Sequence, residues 1–210
     1  HVTLTAPTEL IPAHSGEATS SEVSVGKRVT EIAAENVRDF ALFLSRDFGT
    51  EKTTANVCGS VTDVTYFYTD DADPSATAAL AAEAIEFFSS AFGAYPYHSF
   101  TLVQAHVGAG GMEYGALAAV DPSVKDEREH ALTVVHETAH QWWFGIIGSD
   151  QINSPWLDEG LTEFSAAYFF LRRGEEQIYT DSVASARSYY SVYSRLPDEV
   201  GFDGRMDRPL

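Results

Sequence analysis

A chain of 210 residues, 44% of them hydrophobic, can bury one large core, and its single cysteine rules out an internal disulfide framework and a cysteine-based metal site. A formal net charge of −18 leaves no basic patch to neutralise phosphates, so nucleic acid is not an expected partner. No apolar run is long enough to span a membrane.

The first third of the chain reads as strands. His1–Thr5 and Glu22–Gly26 alternate with period two, and Phe40–Ser45 and Val61–Tyr68 are further strand candidates. Cys58 falls between them and is expected to be a buried strand or loop residue. Asp70–Pro74 marks a boundary, after which Pro74-Ser75 opens an alanine-rich helix running to about Phe88. An apolar strand over Phe100–Val107 follows and leads into a glycine-rich stretch, Gly108–Gly115. Glycines there permit close backbone approach, and Glu113 within it can hold a cationic group. Local sequence alone favours the plainer reading, a surface turn with a solvated glutamate. Two helices come next, the first over roughly Asp126 to Gly145 and the second over Trp156 to about Arg172. Glu175 to Arg195 is expected to be another helix, with Tyr189, Tyr190 and Tyr193 packing on it. A strand-rich half followed by a helix-rich half is the α+β pattern.

His136-Glu137-Thr138-Ala139-His140 carries the clearest chemistry. On a helix, residues four apart share a face, so both imidazoles reach one metal. Glu137 sits about 100° round the helix from His136, beside a metal without binding it, as suits a base that takes a proton from activated water. Glu159, separated from His140 by eighteen residues, supplies a third ligand. Two histidines and one glutamate leave a fourth zinc position open, so the expected cofactor is one Zn2+ per chain. Glu163 lies four residues after Glu159 and is expected to accept the free ring N–H of a ligand histidine, His136 in the first instance. A solvated helix carboxylate is its plain alternative.

Three segments in order resemble one known family. Gly110-Gly111-Met112-Glu113-Tyr114 resembles the G-x-M-E-N exopeptidase motif of the aminopeptidase N family of gluzincin metallopeptidases. His136–Trp142 resembles its H-E-x-x-H-Q-W segment, and Trp156–Gly160 its W-L-N-E-G. The resemblance implies a thermolysin-like catalytic domain over residues 71–210, truncated at its C-terminal side. Residues 1–70 would then be the last strands of a β-sandwich-like domain, and the chain would be a piece of a longer protein. It also implies zinc on His136, His140 and Glu159, with Glu137 as general base. Glu113 would recognise the α-amino group of a peptide with a free N-terminus. The backbone at Gly110, Gly111 and Met112 would pair with the substrate main chain.

The chain departs from the family pattern in three places. Tyr114 stands where the motif ends in asparagine, and a second tryptophan, Trp143, precedes Phe144. The family's downstream oxyanion tyrosine, next to a Lys-Gly pair, has no counterpart here. Losing such a donor costs roughly 10²–10³ in rate, so slow or absent turnover is expected. Two other readings stay open, a thermolysin-like endopeptidase and a catalytically silent binding module.

Overall fold

The computed structural model describes residues 1–193; the expected helical end at Ser194-Arg195 and the tail Arg205–Leu210 lie outside the described residues. The chain adopts the expected α+β class. Strands β1 (Val2–Pro7), β3 (Glu17–Ser24) and β4 (Lys27–Ala33) form one antiparallel sheet in the order β1-β4-β3. β2 (Ile11–His14) pairs with β5 (Leu42–Ser45). The third sheet has the order β6-β7-β8-β10-β9, built from Gly49–Val57, Ser60–Tyr68, Ser99–Gln104, Leu117–Val120 and Gly111–Tyr114 respectively. β7, β8 and β10 run parallel, and the outer strands β6 and β9 run antiparallel to their neighbours.

This five-stranded sheet is continuous across residue 70. β6 and β7 precede that point and β8 to β10 follow it. A domain break at residue 70 would cut the parallel β7–β8 ladder, so we propose that the seam falls before Gly49. Alternation alone cannot tell which sheet a strand joins, which is why the sequence grouped β6 and β7 with the earlier strands.

Helix α1 (Pro74–Phe92) makes the β7–β8 crossover. Asp73 caps its start by accepting the Ala76 N–H at 3.0 Å, and proline occupies the first turn, where its missing N–H costs nothing. Its buried face, with Ile85 and Phe88, packs against Val64, Tyr66, Phe100 and Leu102 of the sheet. On the same side lie α2 (Glu127–His140), α3 (Leu161–Arg173) and α4 (Glu176–Tyr193). Gly174 ends α3 in the left-handed conformation, φ +91°, which L side chains rarely adopt. Among the described residues no helix is long and apolar enough to cross a membrane.

Two side-chain expectations need correction. Cys58 is exposed, not buried. It and Gly59 form the two-residue turn between β6 and β7, both with positive φ (52° and 93°), a geometry whose right-handed twist suits a tight hairpin. Tyr190 is 62% exposed rather than packed, Tyr189 is 40% exposed, and the side chain of Tyr193 lies outside the described set.

Asp121 ties the loop after β8 to the end of β10. Its two oxygens accept the N–H groups of Val107 and Ser123, each at 2.9 Å. Burial alone would raise its pKa, but the donors of Ser123, Val107 and Gly108 more than offset that and hold it below the usual carboxylate range. Asp121→Ala is expected to cost about 1–3 kcal/mol in denaturant unfolding near neutral pH. Because the folded-state pKa is depressed, Asp121 stabilises above the usual carboxylate range. Parent and variant should therefore converge as the pH falls below that range.

Candidate active site

Helix α2 begins at Asp126, whose carboxylate accepts the Arg128 and Glu129 N–H groups at 3.0 and 2.9 Å. Glu127 and Glu129 add negative charge to the positive end of the helix dipole. The helix opens into a π-helical turn, Gln141–Ile146, where the Ile147 N–H bonds the Trp142 carbonyl at 2.9 Å. A second π-helical turn, Trp156–Gly160, runs straight into α3. The segments around the site are anchored from behind. Trp142 Nε1 donates to the Gly93 carbonyl and Trp143 Nε1 to Ser165 Oγ, both at 2.8 Å.

His136, His140 and Glu159 converge. Their Nε2 and Oε2 atoms lie 3.1 Å (His136 to His140), 3.3 Å (His136 to Glu159) and 3.7 Å (His140 to Glu159) apart. Zinc bonds of about 2.0–2.2 Å in a tetrahedron require ligand atoms roughly 3.3–3.6 Å apart. The triangle matches that spacing within a few tenths of an ångström, so these residues fit the metal.

The other ring nitrogens point to carboxylates. Glu163 Oε2 is 3.3 Å from His136 Nδ1. His140 Nδ1 donates to Asp158 Oδ1 at 2.8 Å, with Thr162 Oγ1 at 3.2 Å, and both Asp158 and His140 are 1% exposed. These contacts leave each Nε2 free for a metal. Burial alone would lower the pKa of His136, but Glu159, Glu163 and Glu137 push it up to about 10. The cluster therefore favours a cation where the three ligand atoms meet. The same His136 contact leads in holding Glu159 below its ordinary value.

Glu137 lies beside this triangle, and its Oε2 is buried with no hydrogen-bond partner among the described residues. Burial pushes its carboxyl up to about 7 in the metal-free protein, against the pull of His136 and His140. A cation on the cluster would favour its ionised form.

β9 is the edge strand of the sheet, and it carries the glycine motif past the cavity. A side chain at Gly111 would place its Cβ 2.5 Å from Glu137 Cγ and Cδ. Gly111→Ala is therefore expected to push Glu137 out of line. Any peptide hydrolysis should fall about a hundredfold or more while zinc content is retained. Glu113 points inward, 6% exposed, and burial raises its pKa. Gly110, Gly111, Met112 and Glu113 line the same cavity of about 550 Å³ as His136, Glu137, His140, Glu159 and Glu163. Met112 sits at its exposed rim.

Three residues that the sequence reading passed over belong to this architecture. Gln141 is fully buried; its Oε1 accepts the Ala116 N–H at 3.0 Å, and its Nε2 donates to the Tyr114 carbonyl at 2.9 Å. It thus fixes the β9–β10 hairpin to the end of the helix that carries His136 and His140, and Tyr114 contributes there through its backbone. Asp158, adjacent to Glu159 in sequence, could have been found from that adjacency. Gln151, in the loop between the two π-helical turns, donates through Nε2 to Glu113 Oε1 and, at 2.8 Å, to Asp158 Oδ2. No sequence signal marks it.

Comparison with known proteins follows the same line. The chain is 31% identical over 138 residues to aminopeptidase 2, mitochondrial, of Saccharomyces cerevisiae, covering 58% of this chain and 14% of that protein. It is 29% identical over 138 residues to the alanine/arginine aminopeptidase of the same yeast, covering 58% of this chain and 16% of that protein. The chain thus spans only a small part of the curated relatives it matches. Among solved structures, an M1 zinc metallopeptidase from Deinococcus radiodurans matches with a TM-score of 0.71 at 20% identity, over 93% of this chain and 44% of that one. Aminopeptidase A of Legionella pneumophila matches with a TM-score of 0.66 at 20% identity, over 80% of this chain and 22% of that one. These structural likenesses speak for the fold. The sequence model of the peptidase family M1 domain matches residues 77–196, more than half the chain and the whole of the cluster just described, and the chain belongs to that family.

Proposed function

We propose that the chain carries the catalytic centre of a zinc-dependent aminopeptidase, which removes the N-terminal residue of peptides with a free amino group. The observation that carries this reading is the meeting of three metal-type ligand atoms with the unpartnered Glu137 Oε2 and the buried Glu113 in one cavity. His136, His140 and Glu159 would hold one zinc ion, and Glu163 and Asp158 would orient the two imidazoles. Zinc, when bound, supplies Lewis acidity, acidifying water and polarising a carbonyl oxygen. Glu137 takes the proton from the attacking water and passes it to the nitrogen of the departing amine. Glu113 pairs with the substrate's α-ammonium and so fixes which peptide bond reaches the base. The outer edge of β9 at Gly111 and Met112, with Gly110 just before it, accepts the substrate backbone as an added strand.

No tyrosine is among the described residues lining the cavity. A tyrosine hydroxyl at the developing oxyanion is worth roughly 10²–10³ in rate, so turnover by this chain is expected to be slow.

Zinc content of the purified chain, followed by hydrolysis of a free-amine peptide and its N-acetylated twin, tests this reading. About one zinc per chain with cleavage of the free-amine peptide alone supports it. Equal cleavage of both peptides points to an endopeptidase. Failure of a folded, zinc-supplemented chain to take up the metal overturns the assignment of its ligands.

A further inference from the structure

We propose that Gln151 is a specificity-determining residue of the amine subsite, holding Glu113 in place and supplying a second acceptor for the substrate's α-ammonium. The inference rests on the aminopeptidase reading and extends it to a residue on a different element from Glu113. Gln151 stands on the loop after the first π-helical turn and lines the cavity. The loop is not loosely hung: Asp150 Oδ1 accepts the N–H groups of Ile152 and Asn153 at 3.1 and 2.9 Å, closing a turn around Gln151.

The chemistry of the amide fixes its direction. Its two hydrogen-bond partners, Glu113 Oε1 and Asp158 Oδ2, are both carboxylate oxygens, which accept when ionised. An amide facing two acceptors must turn its nitrogen toward them and spend both N–H groups there. Oε1 is then the remaining polar atom of the side chain, an acceptor with no hydrogen bond among the described residues. An ammonium arriving at Glu113 carries three N–H donors to satisfy. Glu113 takes part of that demand, and Gln151 Oε1, on the same amide that bonds Glu113, is placed to take another. The bridge has a second consequence. Asp158 accepts from His140 Nδ1 with its other oxygen, so one run of hydrogen bonds joins Glu113 through Gln151 and Asp158 to a ligand histidine. Amine recognition and ligand orientation thus share one positioning residue.

The test is calorimetric titration of the zinc-supplemented chain with L-alaninamide and with N-acetyl-L-alaninamide, a matched pair differing at the amine. Gln151→Met keeps the length of the side chain and removes both its donors and its acceptor; Gln151→Ala removes the side chain altogether. The parent is expected to prefer the free amine, and both variants to bind it about ten- to a hundredfold more weakly, with the acetylated probe unmoved. A structural role alone would shift both probes together, so equal weakening overturns the proposal. So does full retention of the free-amine preference in Gln151→Met, which leaves the aminopeptidase reading intact. A parent with no preference at all overturns both.

Discussion

Replacing His140 by alanine is expected to abolish zinc uptake and, in the metal-free protein, to lower stability by about 3–5 kcal/mol. The second effect comes from Asp158. Its carboxylate is 1% exposed and takes the His140 N–H at 2.8 Å. Burial would raise its pKa, and the His140 and Gln151 hydrogen bonds hold it low instead. Without the imidazole, Asp158 keeps only Gln151 among the described residues, and a buried charge loses its main partner. For a chain of this length the loss corresponds to a fall in Tm of roughly 6–20 °C. His136→Ala is the informative contrast. It removes an equal share of the ligand set, but the side chains it leaves, Glu159 and Glu163, are each 50% exposed and can be solvated. Zinc should be lost in both variants, with the large fall in Tm confined to His140→Ala. Equal falls, measured by thermal unfolding in the presence of a chelator, would remove Asp158 from the account.

Glu137→Gln should separate catalysis from stability. The substitution preserves shape and leaves His136, His140 and Glu159, the proposed metal ligands, untouched. Zinc content is expected to stay the same, while hydrolysis of a free-amine peptide falls about 10²–10⁴-fold. Stability is expected to move the other way. In the metal-free protein burial pushes Glu137 from its ordinary value of 4.5 up to about 7. A raised carboxyl pKa means the folded state holds the proton longer than the unfolded one. Folding therefore carries no penalty from Glu137 below pH 4.5, loses stability as the pH rises toward about 7, and carries the full penalty above that. At pH 8 the penalty is on the order of 3 kcal/mol. Glu137→Gln should exceed its parent by up to about that amount at pH 8 and match it near pH 4, each read from chelator-treated denaturant unfolding. A variant no more stable than its parent at pH 8 would mean that Glu137 is solvated in the folded chain. A variant that hydrolyses at the parent's rate would remove Glu137 as the base.

How much of this was legible beforehand depends on how local each feature is. The α+β class followed from alternation before residue 70 and helical patterning after it, both short-range properties. The exposed strand β3 shows the limit. Its pairing with β4 turns on Val25 and Gly26, both at positive φ, and Val25 is 98% exposed. A β-branched residue in that conformation reads from sequence as strand, so the turn was hidden. Cys58 was misplaced for the same reason: its small, apolar side chain suggests burial, while the hairpin between β6 and β7 decides exposure.

The sequence by itself determined what one helix can hold. His136 and His140 share a face and Glu137 lies beside it, because 3.6 residues per turn leaves little choice once the segment is helical. It also suggested, through family resemblance, Glu159 as a third ligand and Glu113 as the residue that meets an amine. Only the tertiary structure decided the relations between segments far apart in the chain. It brought Glu159 within 3.3 Å of His136, turned Glu113 inward from an edge strand, and closed β9 so tightly on α2 that Gly111 has no room for a Cβ beside Glu137. It likewise set Gln141 under the hairpin and Gln151 between two carboxylates. The physical reason is common to all of them. A glutamine's two donors and one acceptor are identical wherever it stands, and what they join is settled by packing between elements, which no local period encodes.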